Sequence, residues 1–454
     1  MKHLKNKLYS KFGITSDRTK NITKHVLLSF LYKGGSILSA LLMVPLTIHY
    51  LDVENYGVWL TLSSFIAWFS FFDIGLGNGL RNKFAVAKAN GDIELAKAYV
   101  STAYFTIGAT SGVLILMFFI LNTFVNWSRV FNSSTSIQHD LSILMPIVFG
   151  FFCLRLVAKL ITTIYTADQH HSMQGKVNFY IQVGSLLLIW LMTKTSHSSL
   201  LLFGSIFSVF PVLILLLMNI VGFNNRFKEY RPTFSLWKTK YFKDIFGLGI
   251  KFFIIQISWM VITSTDNFII TQLYTPKEVV PYNIAFKYFS IALMSFTIIV
   301  TPFWSSFTEA FEKKEFQWIK KSMNNLFRLI LVFITISFIL LLSSNYIYKF
   351  WIGEQVQIQF SLSLLMCIYI SMIIYLTPFN YFINGIGKIK LQLIQTLLMA
   401  VINIPLSYFL SIKLEMGVNG IILGTIFSVL PSLFLSTIQF LLITNNKAKG
   451  IWNK

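Results

Sequence analysis

Apolar runs of membrane-spanning length recur along almost the whole chain, separated by short polar loops. They fall near residues 25–48, 57–77, 99–122, 141–166, 177–193, 200–222, 245–271, 280–304, 323–343, 360–382, 390–411 and 420–443. A run of roughly 18 or more apolar residues can cross the hydrocarbon core as a helix. Lipid offers no water to backbone N–H and C=O groups, and runs this long exceed what a barrel strand needs. The pattern therefore predicts an all-α polytopic membrane protein of about twelve transmembrane helices.

Charge gives these spans a direction. Only Arg129, Lys194, Lys277, Lys349 and Lys413 fall in the loops of one side. The other side collects the basic N-terminal segment and the clusters around Arg81–Lys97, Arg226–Lys243, Lys313–Lys321 and Lys447–Lys454. Loop Lys and Arg residues are retained in the cytoplasm, so an even number of spans with both termini cytoplasmic is expected. The polar, basic N-terminus leads straight into a full-length run, which is not the plan of a cleaved signal peptide.

Composition agrees: of 454 residues 55% are hydrophobic and 12% charged, against roughly a quarter charged in soluble domains. The net charge of +21 is no sign of nucleic-acid binding, because the basic residues sit between spans. Cys153 and Cys367 both lie inside apolar runs, so no disulfide framework is indicated.

The chain also repeats itself. Residues 204–211 (GSIFSVFP) and 424–431 (GTIFSVLP) agree at six of eight positions, 220 residues apart. Gly175-Lys176 corresponds to Gly387-Lys388, and Lys33 to Lys251, at nearby offsets. Duplicated halves with even span counts share one orientation and enclose a cavity between them. The expected organisation is an N-terminal six-helix bundle over 1–222, a cytoplasmic basic linker over 223–244 and a C-terminal six-helix bundle over 245–454.

Charges inside spans are costly, about 2.5–3.5 kcal/mol each on the insertion scale, and so point to cavities or partners. Arg155 and Lys159 lie one helical turn apart in span 4, with no acid in that span to neutralise them. Lys33 and Lys251 occupy equivalent depths in the two halves. With Lys287 these residues are candidates for a cationic cavity that binds an anionic substrate; the competing reading for the lysines is snorkelling to the interface. Asp73 and Asp266 are candidate coupling-ion sites or structural partners, Asp73 for Lys33 and Asp266 for Lys287. Pro45, Pro211, Pro302, Pro378, Pro405 and Pro431 interrupt spans and could allow bending. No catalytic constellation, metal-ligand spacing, phosphate-binding loop or cofactor motif emerges from the sequence.

Residues 51–100 carry a resemblance. An acidic-Tyr-Gly turn (Glu54, Tyr56, Gly57) follows span 1, the stretch DIGLGNGLRN with Gly75, Gly77, Asn78 and Arg81 closes span 2, and Gly91-Asp92 precedes span 3. This segment resembles the polysaccharide-transporter branch of the multidrug/oligosaccharidyl-lipid/polysaccharide exporter superfamily, the Wzx-type O-antigen flippases. The resemblance implies a MATE-like fold, two six-helix bundles related by a pseudo-two-fold axis around a cation-lined cavity. It implies no enzymatic activity, but alternating access that moves an undecaprenyl-pyrophosphate-linked oligosaccharide across the bacterial cytoplasmic (inner) membrane, for O-antigen or capsule synthesis. Membrane lipids, a coupling proton or sodium ion, and a polymerase with other polysaccharide-assembly proteins are the implied partners. Two alternatives remain at this stage. A small-molecule antiporter of the same superfamily predicts an acid-dominated cavity, and a membrane polysaccharide polymerase predicts a long external loop.

Overall fold

A computed structural model describes residues 17–168, 170, 172–246, 264–301 and 303–453; side chains at 17–30, 70–76, 78, 82, 89, 172, 246 and 305 are left out of that description. Ten helices among the described residues are long and apolar enough to cross a membrane. The first two expected spans are not separated by a loop. Helix α1 (Asp17–Ala67) bends at Asp52, whose φ of 68° and ψ of 172° interrupt the helix at a single residue. There the Asp52 carboxylate accepts hydrogen bonds from the Asn55 backbone N–H (2.9 Å) and side chain (2.7 Å), restarting the helix as an N-cap does. A 3-10 turn, Trp68–Ser70, joins α1 to α2 (Phe71–Ala89).

The first half continues with α3 (Ile93–Asn122), α4 (Gln138–Ala158), α5 (Leu160–Ala167), α6 (Ser172–Thr195) and α7 (Leu200–Asn224). A short amphipathic helix, α8 (Thr239–Phe246), lies in the basic linker and packs beneath α2 and α3. In the second half, residues 264–273 are helical, followed by α9 (Pro276–Val300), α10 (Phe303–Glu312) and α11 (Phe316–Ile352). Helices α12 (Phe360–Ile386), α13 (Lys390–Tyr408) and α14 (Val418–Thr444) complete it. Helix α11 extends well past the expected 323–343, because polar ends such as Lys320 and Lys349 continue its helical turns beyond the apolar core.

Two lobes result. In the first, α1 packs along α6, and α4 lies between α3 and α7. In the second, α12 is central and touches α9, α10, α11 and α14. The aromatic content fills these interiors: Phe118 stacks on Phe149 at 4.0 Å, and Phe382 meets Phe440 at 5.1 Å. Such ring pairs add about 0.5–1.5 kcal/mol beyond their burial. Large apolar side chains on the outer faces, among them Leu116, Leu342 and Phe350, are exposed and suit lipid rather than water.

The repeat is partly expressed in three dimensions. Ser208 donates to the Gly204 carbonyl (2.6 Å) and Ser428 to the Gly424 carbonyl (2.7 Å), the same bond one turn before the matching prolines. Gly175 and Gly387 differ. Gly175 lies inside α6, whereas Gly387 takes the left-handed conformation (φ 72°) and terminates α12.

The lobes meet where the Asp52 bend approaches α9. Thr61 and Thr271 share a hydrogen bond of 2.6 Å, Asn267 donates to Ser64 (2.8 Å), and Lys277 pairs with Glu54 (3.2 Å). Gly57 permits this contact, since a Cβ there would stand 1.9 Å from the Pro276 carbonyl oxygen. All these residues lie toward the end with few basic loops.

Candidate functional site

A cavity of about 970 Å³ lies between the lobes, away from that seam. Its lining runs from Trp59 to Asn384 and Gln392, next to the Gly387 turn, so it reaches toward the end with the basic loops. The volume is at the upper end of the usual range for small-molecule sites.

The first lobe contributes the cations. Arg155 and Lys159 line the same wall, with Phe151, Phe152, Trp59 and Phe207 around them. Local structure fixes where they stand. Thr162 N–H bonds to the Lys159 carbonyl (2.9 Å), three residues back, so the helix tightens between α4 and α5. The Ala158 carbonyl instead accepts from the Asn219 side chain (2.7 Å), which is itself held by Tyr104 (2.6 Å). Span 4 begins at Gln138, earlier than the apolar run suggests. Arg155 is therefore about 25 Å along it and about 18 Å from Ala167, a little past the mid-point toward the basic end.

The foot of this span is tied down by Asp168. Its carboxylate receives Lys88 and, at 2.6 Å, Arg226, while Lys88 lies over the Phe227 and Tyr230 rings. Burial alone raises the Asp168 carboxyl, but the hydrogen bonds and charges of Lys88 and Arg226 outweigh it and hold the group below its ordinary value. Nothing in the loop sequence beyond the acid itself signals this triad, because its cations come from positions 80 residues before and 58 after.

The second lobe contributes uncharged polar groups. Asn380 and Asn384 lie one turn apart on α12, and Gln392, Gln395 and Thr396 on one face of α13, opposite Ser432 and Ser436 of α14. Sequence reasoning that tracks charge passes over these amides. Their spacing of three and four within apolar runs is the signal that could have found them. No carboxylate is among the lining residues described.

The remaining candidates lie elsewhere. Lys33 is exposed on α1 and is not in the lining. Lys251 lies outside the described residues, as do the side chains of Asp73, Gly75 and Asn78 and all of Pro302. Lys287 reaches the lobe seam instead of the cavity: its ammonium is 3.1 Å from the Tyr56 hydroxyl and 5.9 Å from that ring's centre. The anticipated Asp266–Lys287 bridge is not formed. Asp266 is buried in the second lobe and accepts from Tyr282 (2.6 Å) and Thr425 (3.1 Å), with Asn403 donating to Thr425 (2.9 Å). The side-chain directions decide this: Asp266 faces Tyr282 and Thr425 within the second lobe, and Lys287 faces Tyr56 at the seam. Of the motif residues, Glu54, Tyr56 and Gly57 all take part in the lobe seam, whereas Gly77 lies within α2 and Arg81 is exposed. Pro45, Pro211, Pro378, Pro405 and Pro431 all lie within continuous helices.

Comparison with known proteins bears on both fold and role. The chain is 20% identical over 440 residues to a protein of Yersinia pseudotuberculosis named as an O-antigen export protein, covering 92% of this chain and 97% of that one. It is 22% identical over 404 residues to one of Salmonella typhimurium named as an O-antigen transporter, covering 87% and 91%. Its fold is similar to an inward-facing MATE family multidrug transporter (TM-score 0.73, 11% identity, 92% and 96% covered). An outward-facing MATE family structure aligns with a TM-score of 0.66 at 12% identity, covering 93% and 96%. No family model matches the chain. The all-α, two-lobed architecture is thus MATE-like.

Proposed function

We propose that this chain, a membrane transporter of the multidrug/oligosaccharidyl-lipid/polysaccharide exporter superfamily, carries an undecaprenyl-pyrophosphate-linked oligosaccharide across the bacterial cytoplasmic membrane by alternating access. The carrying observation is that Arg155 and Lys159 line one wall of the cavity between the lobes. The pyrophosphate is the part of such a cargo most costly to take from water into hydrocarbon. A guanidinium can grip phosphate oxygens in bidentate fashion, and an ammonium adds a mobile point charge. The polyprenyl tail can stay in the bilayer throughout. An acid-lined cavity for a cationic drug is the competing expectation, and the charge of this wall argues against it.

With the basic loops in the cytoplasm, the cavity opens to the leaflet where such cargo is loaded, and the Asp52–α9 seam seals the far side. The names of the O-antigen relatives support the same cargo class. The seam combines a Trp68–Phe268 ring contact with individual hydrogen bonds, each worth about 1 kcal/mol net, and a half-exposed ion pair worth still less. Such a closure is reversible, as alternation requires. Asp266, buried within the second lobe, is the candidate site for a coupling proton or sodium ion.

The test is transport of a fluorescent undecaprenyl-pyrophosphate glycan in vesicles reconstituted with the full chain. Arg155→Ala and Lys159→Ala should each slow flipping by about tenfold or more while inserting normally. Wild-type rates in both variants would remove the cationic-cavity mechanism.

A further inference from the structure

The second lobe's wall holds hydrogen-bonding groups that the protein does not use. Among the described residues, six buried side-chain polar atoms have no partner, and three of them belong to this wall: Asn384 Oδ1, Gln392 Oε1 and Gln395 Nε2. Native interiors leave few such atoms unpaired, so their concentration at one surface calls for a reason. The amides could have satisfied one another across α12 and α13, yet the contact that Gln395 makes is a long one, 3.5 Å from Ser432 Oγ to its Oε1. Gln392 and Gln395 are more than nine-tenths buried and lie one turn apart on the face of α13 that lines the cavity. Unlike Arg155 and Lys159, carboxamides offer donors and acceptors together and carry no charge. That is the wrong chemistry for a phosphate and the right one for hydroxyl and acetamido groups. Tyr381, on the same stripe of α12, adds a ring against which the apolar face of a pyranose can lie.

We infer that the wall formed by Asn380, Asn384, Gln392 and Gln395 is a sugar-reading surface, which binds the neutral sugar nearest the pyrophosphate through its hydroxyl and acetamido groups. The inference rests on the cargo reading above and divides the cavity: the first lobe holds the phosphates and the second discriminates among glycans. A sugar that fills the unpaired positions is bound, and one that leaves them empty is disfavoured because the buried amides stay unsatisfied.

Binding to the purified full-length protein, measured by native mass spectrometry, separates the two claims. The probes are undecaprenyl pyrophosphate without a sugar and undecaprenyl pyrophosphate carrying N-acetylglucosamine. Wild type should prefer the glycosylated probe by about tenfold. The double change Gln392→Met and Gln395→Met, which nearly preserves volume, should bring that preference close to one while leaving affinity for the bare probe within about twofold. Arg155→Ala should weaken both probes alike and keep their ratio. Thermal unfolding controls for structure: removing unpaired amides should leave Tm unchanged or raise it. A retained preference in the double variant, no preference in wild type, or a loss of preference matched by a fall in Tm would each overturn the sugar-reading role. Unchanged binding of the bare probe to the Arg155 variant would instead overturn the phosphate reading, with the ratio still judging this one.

Discussion

The two walls of the cavity come from halves that carry matching segments, GSIFSVFP and GTIFSVLP, yet they differ in chemistry. The first lobe presents Arg155 and Lys159 among aromatic rings, and the second presents amides and hydroxyls. The difference teaches that matching segments can keep a local backbone arrangement while the cavity surface around them differs. The Ser208 and Ser428 bonds before Pro211 and Pro431 are the same in both halves, whereas no cation of the second lobe is among the described lining residues. A cargo with one anionic and one neutral polar part would meet each wall with a different end.

Reversing the sign of the first wall should break this division most severely. Arg155→Glu places a carboxylate where phosphate is proposed to bind, and flipping in vesicles should fall by about a hundredfold or more. Next, Asp266→Asn keeps the hydrogen bonds to Tyr282 and Thr425 in large part but removes the ionisable group. Transport should lose its response to an imposed proton or sodium gradient while binding of undecaprenyl pyrophosphate persists. A gradient response that survives the change would remove Asp266 from coupling.

Loosening the support of the first wall should have a smaller effect. Asp168→Asn removes the charge that Lys88 and Arg226 share. Because the folded carboxyl lies below its ordinary value, its contribution is present above the unfolded carboxylate pKa and is lost as pH falls through the folded one. The wild type should therefore lose stability toward acid over that window, and Asp168→Asn should show a lower Tm near neutral pH with a flatter acid dependence. Smallest of all is the expected effect of Lys287→Met on cargo binding, since Lys287 contacts Tyr56 at the seam and not the cavity. Bare-probe affinity should stay within about twofold. A loss as large as that from Arg155→Ala would mean that the cationic surface extends to the seam.

Much of the frame was legible because span-length apolar runs leave a chain in lipid few alternatives. Arg155 and Lys159 stood out for the same reason: two cations with no acid in an apolar run are conspicuous, and a spacing of four puts them on one face. Depth could be read from sequence, but rotation about the helix axis could not. Lys287 and Asp266 lie at similar depth on adjacent spans, yet one turns to Tyr56 and the other to Tyr282 and Thr425. The amide wall was hidden because an Asn or Gln in an apolar run carries no charge to mark it. Only the packing of α12, α13 and α14 brings four of them to one surface. In sequence the seam is visible only as a motif; Gly57 follows Tyr56 because the Pro276 carbonyl lies against it.

Chemical control of the charge at position 155 tests the central claim most directly. In a background with Cys153 and Cys367 replaced by Ala, Arg155→Cys can be modified with a cationic aminoethyl or an anionic sulfonatoethyl methanethiosulfonate, and flipping measured in the same vesicles. The account predicts that the unmodified variant is slow, that the cationic adduct restores much of the rate and that the anionic adduct does not. Equal rates for the two adducts, at any level above the unmodified variant, would contradict it.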